Sequence, residues 1–251
     1  MGNMLFGGGD NKIQHTVLFK FPELARGSEG EKALDAIVAQ FDGLPGIAAS
    51  FFSHGSATLE KAAQLATLEW PDRTDGYTHC LLVIADDAPA LKRYLHSDFH
   101  LTAWMAGVKP WIKGIVVFDS ILTLDLDASK AELLHPCLFR LKPSADAAAM
   151  IAQVAEFNKI DGIAASVEPF LGADFLASVD WPDKAGGFSW CLTVVARDTA
   201  ALKTYLHSDA HKAWVPIVKP HMDMSAGPPS LIFDAPLRLT AAAKCGASFL
   251  S

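Results

Sequence analysis

The sequence predicts an α+β protein made of two βαββαβ units, packed sheet against sheet as an intrachain α/β barrel. Three observations carry that expectation. The chain repeats itself: residues 80–100 read CLLVIADDAPALKRYLHSDFH and residues 191–211 read CLTVVARDTAALKTYLHSDAH, identical at 14 of 21 positions. Each copy sits in the same succession of strand-like and helix-like hydrophobic periods. At 251 residues and 51% hydrophobic content, the chain can bury cores for two small domains.

The repeat extends in both directions. His15-Thr16-Val17-Leu18-Phe19-Lys20 matches His135-Pro136-Cys137-Leu138-Phe139-Arg140. Trp70-Pro71-Asp72 matches Trp181-Pro182-Asp183, and Val117-Phe118-Asp119 matches Ile232-Phe233-Asp234. Tyr205 follows Tyr94 by 111 positions, whereas His135 follows His15 by 120. That drift places insertions and deletions in loops. The period far exceeds the roughly 20–50 residues of solenoid repeats, so this is a domain-sized duplication. The expected domains are 12–122 and 132–240, with a linker across 120–134.

Each element has a local reason. Residues 13–21 alternate and are rich in β-branched and aromatic side chains, which predicts a strand. Ala33, Leu34, Ile37, Val38 and Phe41 fall at helical spacing within 29–42. Gly43 and the Leu44-Pro45-Gly46 turn end that helix. Strands follow at 47–53 and 78–85. Pro89 suits the first turn of the next helix, and a last strand runs from 112 to 119. The second half gives strands at 135–141, 163–169, 188–196 and 230–234, with helices at 144–158 and 198–207. The order in each half is βαββαβ, the ferredoxin-like unit. Such a sheet has one bare face that must be covered. The sister sheet is the simplest cover, with a cavity expected between the two. His15, Val17 and Phe19 share a strand face and are expected to look into that cavity, as is His135.

Composition narrows the function. A net charge of −7 argues against nucleic acid and against anionic membranes. No apolar run reaches membrane-spanning length, and the N-terminus has no signal-peptide pattern. The Met-Gly start is followed by Phe6 where a myristoylation site needs Ser or Thr. Cys80, Cys137, Cys191 and Cys245 form no C-x-x-C pair, and Cys80 and Cys191 read as small buried hydrophobes. These features predict a cytoplasmic, reduced-compartment protein with no cofactor. No phosphate loop, nucleophile elbow or dinucleotide fingerprint is present.

The matched polar residues of the two copies include Tyr94 and Tyr205, His96 and His207, Asp98 and Asp209, and His100 and His211. Tyr94 and His100, six apart, would diverge on one continuous helix. Ser97 and Asp98 are good N-caps, so a break with a new helix near Asp98 is expected. It puts His100 in a first turn, where the helix dipole disfavours an imidazolium, and it lets Tyr94 and His100 converge. On spacing alone the plainer alternative stands first: Tyr94 as a core residue and His100 as a satisfied histidine. A His96/His100 metal clamp is disfavoured by the intervening cap and by the lack of further ligands, so no metal is expected.

These residues resemble the stress-response A/B barrel (Dabb) family of the dimeric α/β barrel superfamily. The opening His15-Thr16-Val17-Leu18-Phe19-Lys20, Gly76-Tyr77-Thr78-His79, Tyr94-x5-His100 and Val117-Phe118-Asp119 carry the likeness. His135, Tyr205-x5-His211 and Ile232-Phe233-Asp234 carry it in the second half. The family includes olivetolic acid cyclase, an aldol-type cyclase whose Tyr-x5-His pair is catalytic. The resemblance implies Tyr94 and His100 as the catalytic pair, with His15, His79, Val17 and Phe19 lining a ligand site. His135, Tyr205 and His211 are the second-half equivalents, but Trp190 replaces the counterpart of His79. The site is therefore expected in the first half. The chain has Asp98 where the cyclase has Pro.

Three functions compete. One is binding of a small apolar carbonyl or aromatic compound, with His100 as base and Tyr94 polarising an oxygen. Another is a noncatalytic module that docks a protein partner. The third is a haem-handling barrel with a His axial ligand. A closed apolar core between the sheets would favour the docking module.

Overall fold

β1 (Ile13–Lys20) is central to the first half, because both of its edges are paired. It runs antiparallel to β3 (His79–Ala85) on one side and to β4 (Gly114–Ile121) on the other. β2 (Ile47–His54) pairs with β3, and α1 (Ala88–Leu95) follows β3. The second half repeats this with β5 (Leu133–Phe139), α3 (Ala147–Phe157), β6 (Ile163–Pro169), β7 (Trp190–Ala196) and α5 (Thr199–His207). α2 (Met105–Val108) follows Tyr94-x5-His100, and α6 (Asp209–Val218) begins within Tyr205-x5-His211 and carries His211. Between β6 and β7 lies α4 (Gly172–Val179), which the sequence reading did not anticipate. The last strands are β8 (Ser230–Ile232), β9 (Ala235–Pro236) and β10 (Arg238–Leu239). The computed structural model describes residues 12–21, 44–54, 67–124, 131–236 and 238–239, with positions 32, 34, 36, 37 and 40. The expected helix over 29–42 thus falls largely outside the described residues, as does Cys245.

The sheets run β10-β2-β3-β1-β4 and β6-β7-β5-β8, with β9 also on β5. β10 comes from the end of the second half yet pairs with β2 of the first, tying the halves together. Asp87, Asp146 and Asp198 each accept a backbone N–H three residues on and so cap α1, α3 and α5. Gly46 and Gly162 hold equivalent turns at φ of 78° and 75°. A Cβ at Gly46 would lie 2.8 Å from Cβ of Ala90 on α1, so a side chain there collides as well as straining the backbone.

The two sheets face one another, as expected, and among the described residues a buried apolar cluster fills the space between them. Leu18, Leu82 and Phe118 from the first sheet meet Leu138, Val195 and Phe233 around the second in one buried cluster. Gln14 crosses the interface and donates to Thr193 Oγ1 at 2.8 Å. His15, Val17 and Phe19 sit on the opposite face of β1. Val17 and Phe19 join the cluster beneath the helices, not the one between the sheets. The expected cavity between the sheets is therefore corrected: strand alternation puts the histidines on the helix-covered side.

The halves also exchange arms. Leu68, from the first half, is fully buried in the second half's helix-side core. Phe175, Leu176 and Val179 of α4 are buried in the first half's helix-side core. His96 donates from Nε2 to the Val179 carbonyl at 3.0 Å, and His207 does the same to Leu68 at 2.8 Å. These histidines fasten the arms, so His96 is not half of a metal clamp with His100.

Candidate functional site

The helix break falls where the sequence placed it, but serine makes the cap. Ser97 Oγ accepts from the His100 backbone N–H at 3.1 Å, and Ser208 Oγ from His211 at 3.0 Å. Asp98 and Asp209 are not the caps. Tyr94 and His100 meet edge-on with ring centroids 4.9 Å apart, and Tyr205 and His211 at 5.1 Å. His100 Nδ1 donates to the Leu95 carbonyl at 2.8 Å. A neutral ring held this way keeps its lone pair on Nε2.

Behind each pair stands a buried histidine–aspartate contact. His15 Nδ1 lies 2.7 Å from Asp119, and His135 Nδ1 lies 2.5 Å from Asp234. Register explains the first: His15 and Asp119 are cross-strand partners on β1 and β4. The sequence reading missed both aspartates as site residues. The available signal was an Asp closing an apolar strand in both copies.

Electrostatics set the protonation states. Burial, with help from His15, holds His100 down at about 4. Burial and His135 hold His211 down at about 4 against the Leu206 backbone hydrogen bond. Both are neutral near pH 7. Burial also raises the Tyr94 and Tyr205 phenols well above the usual tyrosine range, so both stay protonated. For His135, burial is outweighed by the Cys137 sulfur and the Asp234 carboxylate, which raise the imidazole well above its usual range.

The two sites differ in space. His15, Val17, Phe19, Tyr94 and His100 border a void of only about 20 Å³, room for about one water. His135, Cys137, Tyr205 and His211 line a cavity of about 530 Å³ between the second sheet and α6, within the usual range for small-molecule pockets. The larger space thus lies in the second half, whereas the sequence points to a ligand site in the first. His79 does not border the first-half void; it packs edge-on to Phe21 at 5.0 Å and bonds Thr78 Oγ1 at 2.8 Å. Nor does Trp190 line the second-half cavity.

Register identifies what opens one site and closes the other. Ile115 opposes Phe19, whereas its equivalent opposite Phe139 is Ser230. From Pro110 to Ile115 is five positions; from Pro220 to Ser230 is ten. The longer loop supplies Met222 and Met224 to the cavity rim. Each site also borrows a wall. Trp181 stands 5.2 Å from His100, and Trp70 stands 5.2 Å from His211, each contributed by the other half. The repeated Trp-Pro-Asp is therefore an exchanged wall.

Residues 13–122 match the family model described as "Stress responsive A/B Barrel Domain", Dabb. The match spans the first half of the chain. Solved structures align with both halves together. An anthrone oxidase-like protein superposes at TM-score 0.61 and 12% identity, over 93% of this chain and 95% of its own. A candidate monooxygenase from Fusobacterium nucleatum subsp. nucleatum gives 0.59 at 12% identity, over 91% and 92%. One from Lactobacillus acidophilus gives 0.52 at 12%, over 91% and 94%. At these identities the likeness is one of fold. No curated protein matches the chain. Among the described residues no helix is long and apolar enough to cross a membrane, and no group of three His, Cys, Asp or Glu residues could hold a metal ion.

Proposed function

We propose that this protein binds a small, largely apolar compound carrying a carbonyl or phenolic oxygen, in the cavity of its second half. One observation carries the reading. The Tyr205 hydroxyl is buried with no hydrogen-bond partner among the described residues, lines a cavity of about 530 Å³, and stands beside a neutral His211. Leaving such a hydroxyl unpaired costs about 1–3 kcal/mol. A ligand oxygen there removes that cost.

The same pair supports cyclase-like general-base chemistry. Tyr205 donates to a carbonyl oxygen while the free ring nitrogen of His211 takes a proton from the adjacent carbon. The resulting enolate carbon attacks a second carbonyl of the same molecule, and the proton passes to the new alkoxide. The buried His135–Asp234 pair behind Tyr205 fixes the floor of the site. The closed core between the sheets fits the alternative of a docking module, but the open space on the helix side favours a small ligand.

The test is a thermal-shift screen with aromatic and polyketide-like carbonyl compounds, comparing the wild type with His211→Ala and His100→Ala. Loss of binding in His211→Ala alone supports the reading. Equal loss in both folded variants, or no binder at all, overturns it and moves the case to the docking module.

A further inference from the structure

The inference deepens the proposed function and rests on it: it concerns which compounds the second-half cavity prefers. The cavity is chemically lopsided. Its described lining includes the cations Arg73 and Lys219 but no carboxylate. Asp234 stands behind the lining, paired with His135. Both cations are exposed, whereas Tyr205, His135 and Cys137 are buried, so the charge lies at the solvent end and the apolar wall and phenol at the inner end. Arg73 is near enough to His211 to depress its protonation.

Arg73 reaches this site from the other half, and its backbone is held in place. The Ile232 N–H of β8 donates to the Arg73 carbonyl at 3.0 Å. Asp72 Oδ1 accepts from the Thr74 N–H and hydroxyl, both at 2.9 Å, closing the turn around Arg73. The first-half site repeats the device: Val117 N–H donates to the Lys184 carbonyl at 3.0 Å, and Lys184 lines the void. There the ammonium sits 5.4 Å over the Trp181 ring, in a site with no room for a ligand. A cation on an anchored backbone at one end, a buried hydroxyl with no partner among the described residues at the other, and apolar walls between define one ligand shape.

We propose that the second-half cavity selects an apolar molecule bearing a single anionic group, with Arg73, supplied by the first half, as the residue that reads the anion. The apolar body lies against Trp70, Phe139 and Trp214, and its inner oxygen meets Tyr205. The anionic group faces Arg73 and Lys219. Arg73 is a specificity residue here and takes no part in proton transfer.

The experiment uses two fluorescent probes that differ by one group: 8-anilino-1-naphthalenesulfonate, which carries a sulfonate, and the uncharged N-phenyl-1-naphthylamine. Both are titrated into the full chain, the Arg73→Gln variant and a Lys212→Gln control. Lys212 is an exposed lysine paired with Asp209 outside the cavity. The sulfonate should bind the wild type more tightly than the neutral probe. Arg73→Gln should weaken the sulfonate about three- to tenfold, the size of a partly screened charge-assisted contact. The neutral probe should be unmoved, and Lys212→Gln should change neither. Equal binding of both probes, or equal weakening of both by Arg73→Gln, overturns anion selection while leaving the cavity reading standing. Equal weakening of the sulfonate by both variants assigns it to general surface charge and also overturns the proposal. Binding of neither probe defeats the cavity reading and this proposal together.

Discussion

The Trp70 ring, carried by the first half, stands edge-on to His211 of the second, with centroids 5.2 Å apart and planes at 77°. Trp181 and His100 repeat the contact in the opposite direction at 5.2 Å and 68°. Each candidate site is therefore completed by the other half, and neither half owns a whole one.

That exchange predicts different outcomes for the two tryptophans. Trp181→Ala should destabilise the fold by about 2–4 kcal/mol, as a large-to-small change in a packed site, and should enlarge the first-half void to ligand size. Trp70→Ala should cost less stability, because it borders space already open, and should weaken binding in the second half. Denaturant unfolding and naphthylamine titration of both variants would check this. Equal stability losses would contradict it.

The cavity should be closable by copying the first half. Ser230→Ile places the counterpart of Ile115 beside Phe139. Binding of any ligand to the second half should fall at least tenfold with no loss of stability, since the side chain enters free space. A drop in unfolding free energy of about 1 kcal/mol or more would show the space was already filled.

Tyr205→Phe should separate binding from folding. The hydroxyl has no partner among the described residues, so its removal should leave stability unchanged or raise it by up to about 1 kcal/mol. Affinity for an oxygen-bearing ligand should fall about three- to tenfold, as for loss of one hydrogen bond. Calorimetric binding and thermal melts of the same samples would decide it.

Acid should destabilise the protein through two histidines. His100 and His211 are held at about 4 in the fold, against about 6.5 in an unfolded chain. The unfolded state therefore binds protons that the native state refuses, and stability falls as pH drops from about 6.5 to 4. The upper bound is on the order of 3.4 kcal/mol for each. His135, raised instead, contributes stability that is present below about 6.5 and lost as pH rises through its folded value. Stability should thus peak near neutrality. The double variant His100→Gln/His211→Gln should flatten the acid limb. Melting curves whose pH dependence parallels the wild type would refute the assignment.

Much of the fold was legible in the sequence because its causes are local. The duplication and the strand at 13–20 follow from repeated residues and from alternation over a few positions. The Ser97 and Ser208 breaks follow as well, and they bring Tyr94 to His100 and Tyr205 to His211. Asp119 and Asp234 were visible only as the ends of apolar strands. Their pairing with His15 and His135 needed the β1–β4 register and its counterpart.

What only the tertiary structure decided is where the space lies. Which face of β1 meets the sister sheet cannot be read from alternation, since Leu18 and Val17 are equally apolar. The arms that carry Trp70 and Trp181 across the halves depend on long-range packing that leaves no periodic trace. Cavity volume is a small difference between large packed volumes. It turns on Ser230 standing where Ile115 stands, and on a loop longer by five positions. The sequence by itself therefore determined the duplicated barrel and its Tyr–His pairs, while packing across the halves decided which pair has room for a ligand.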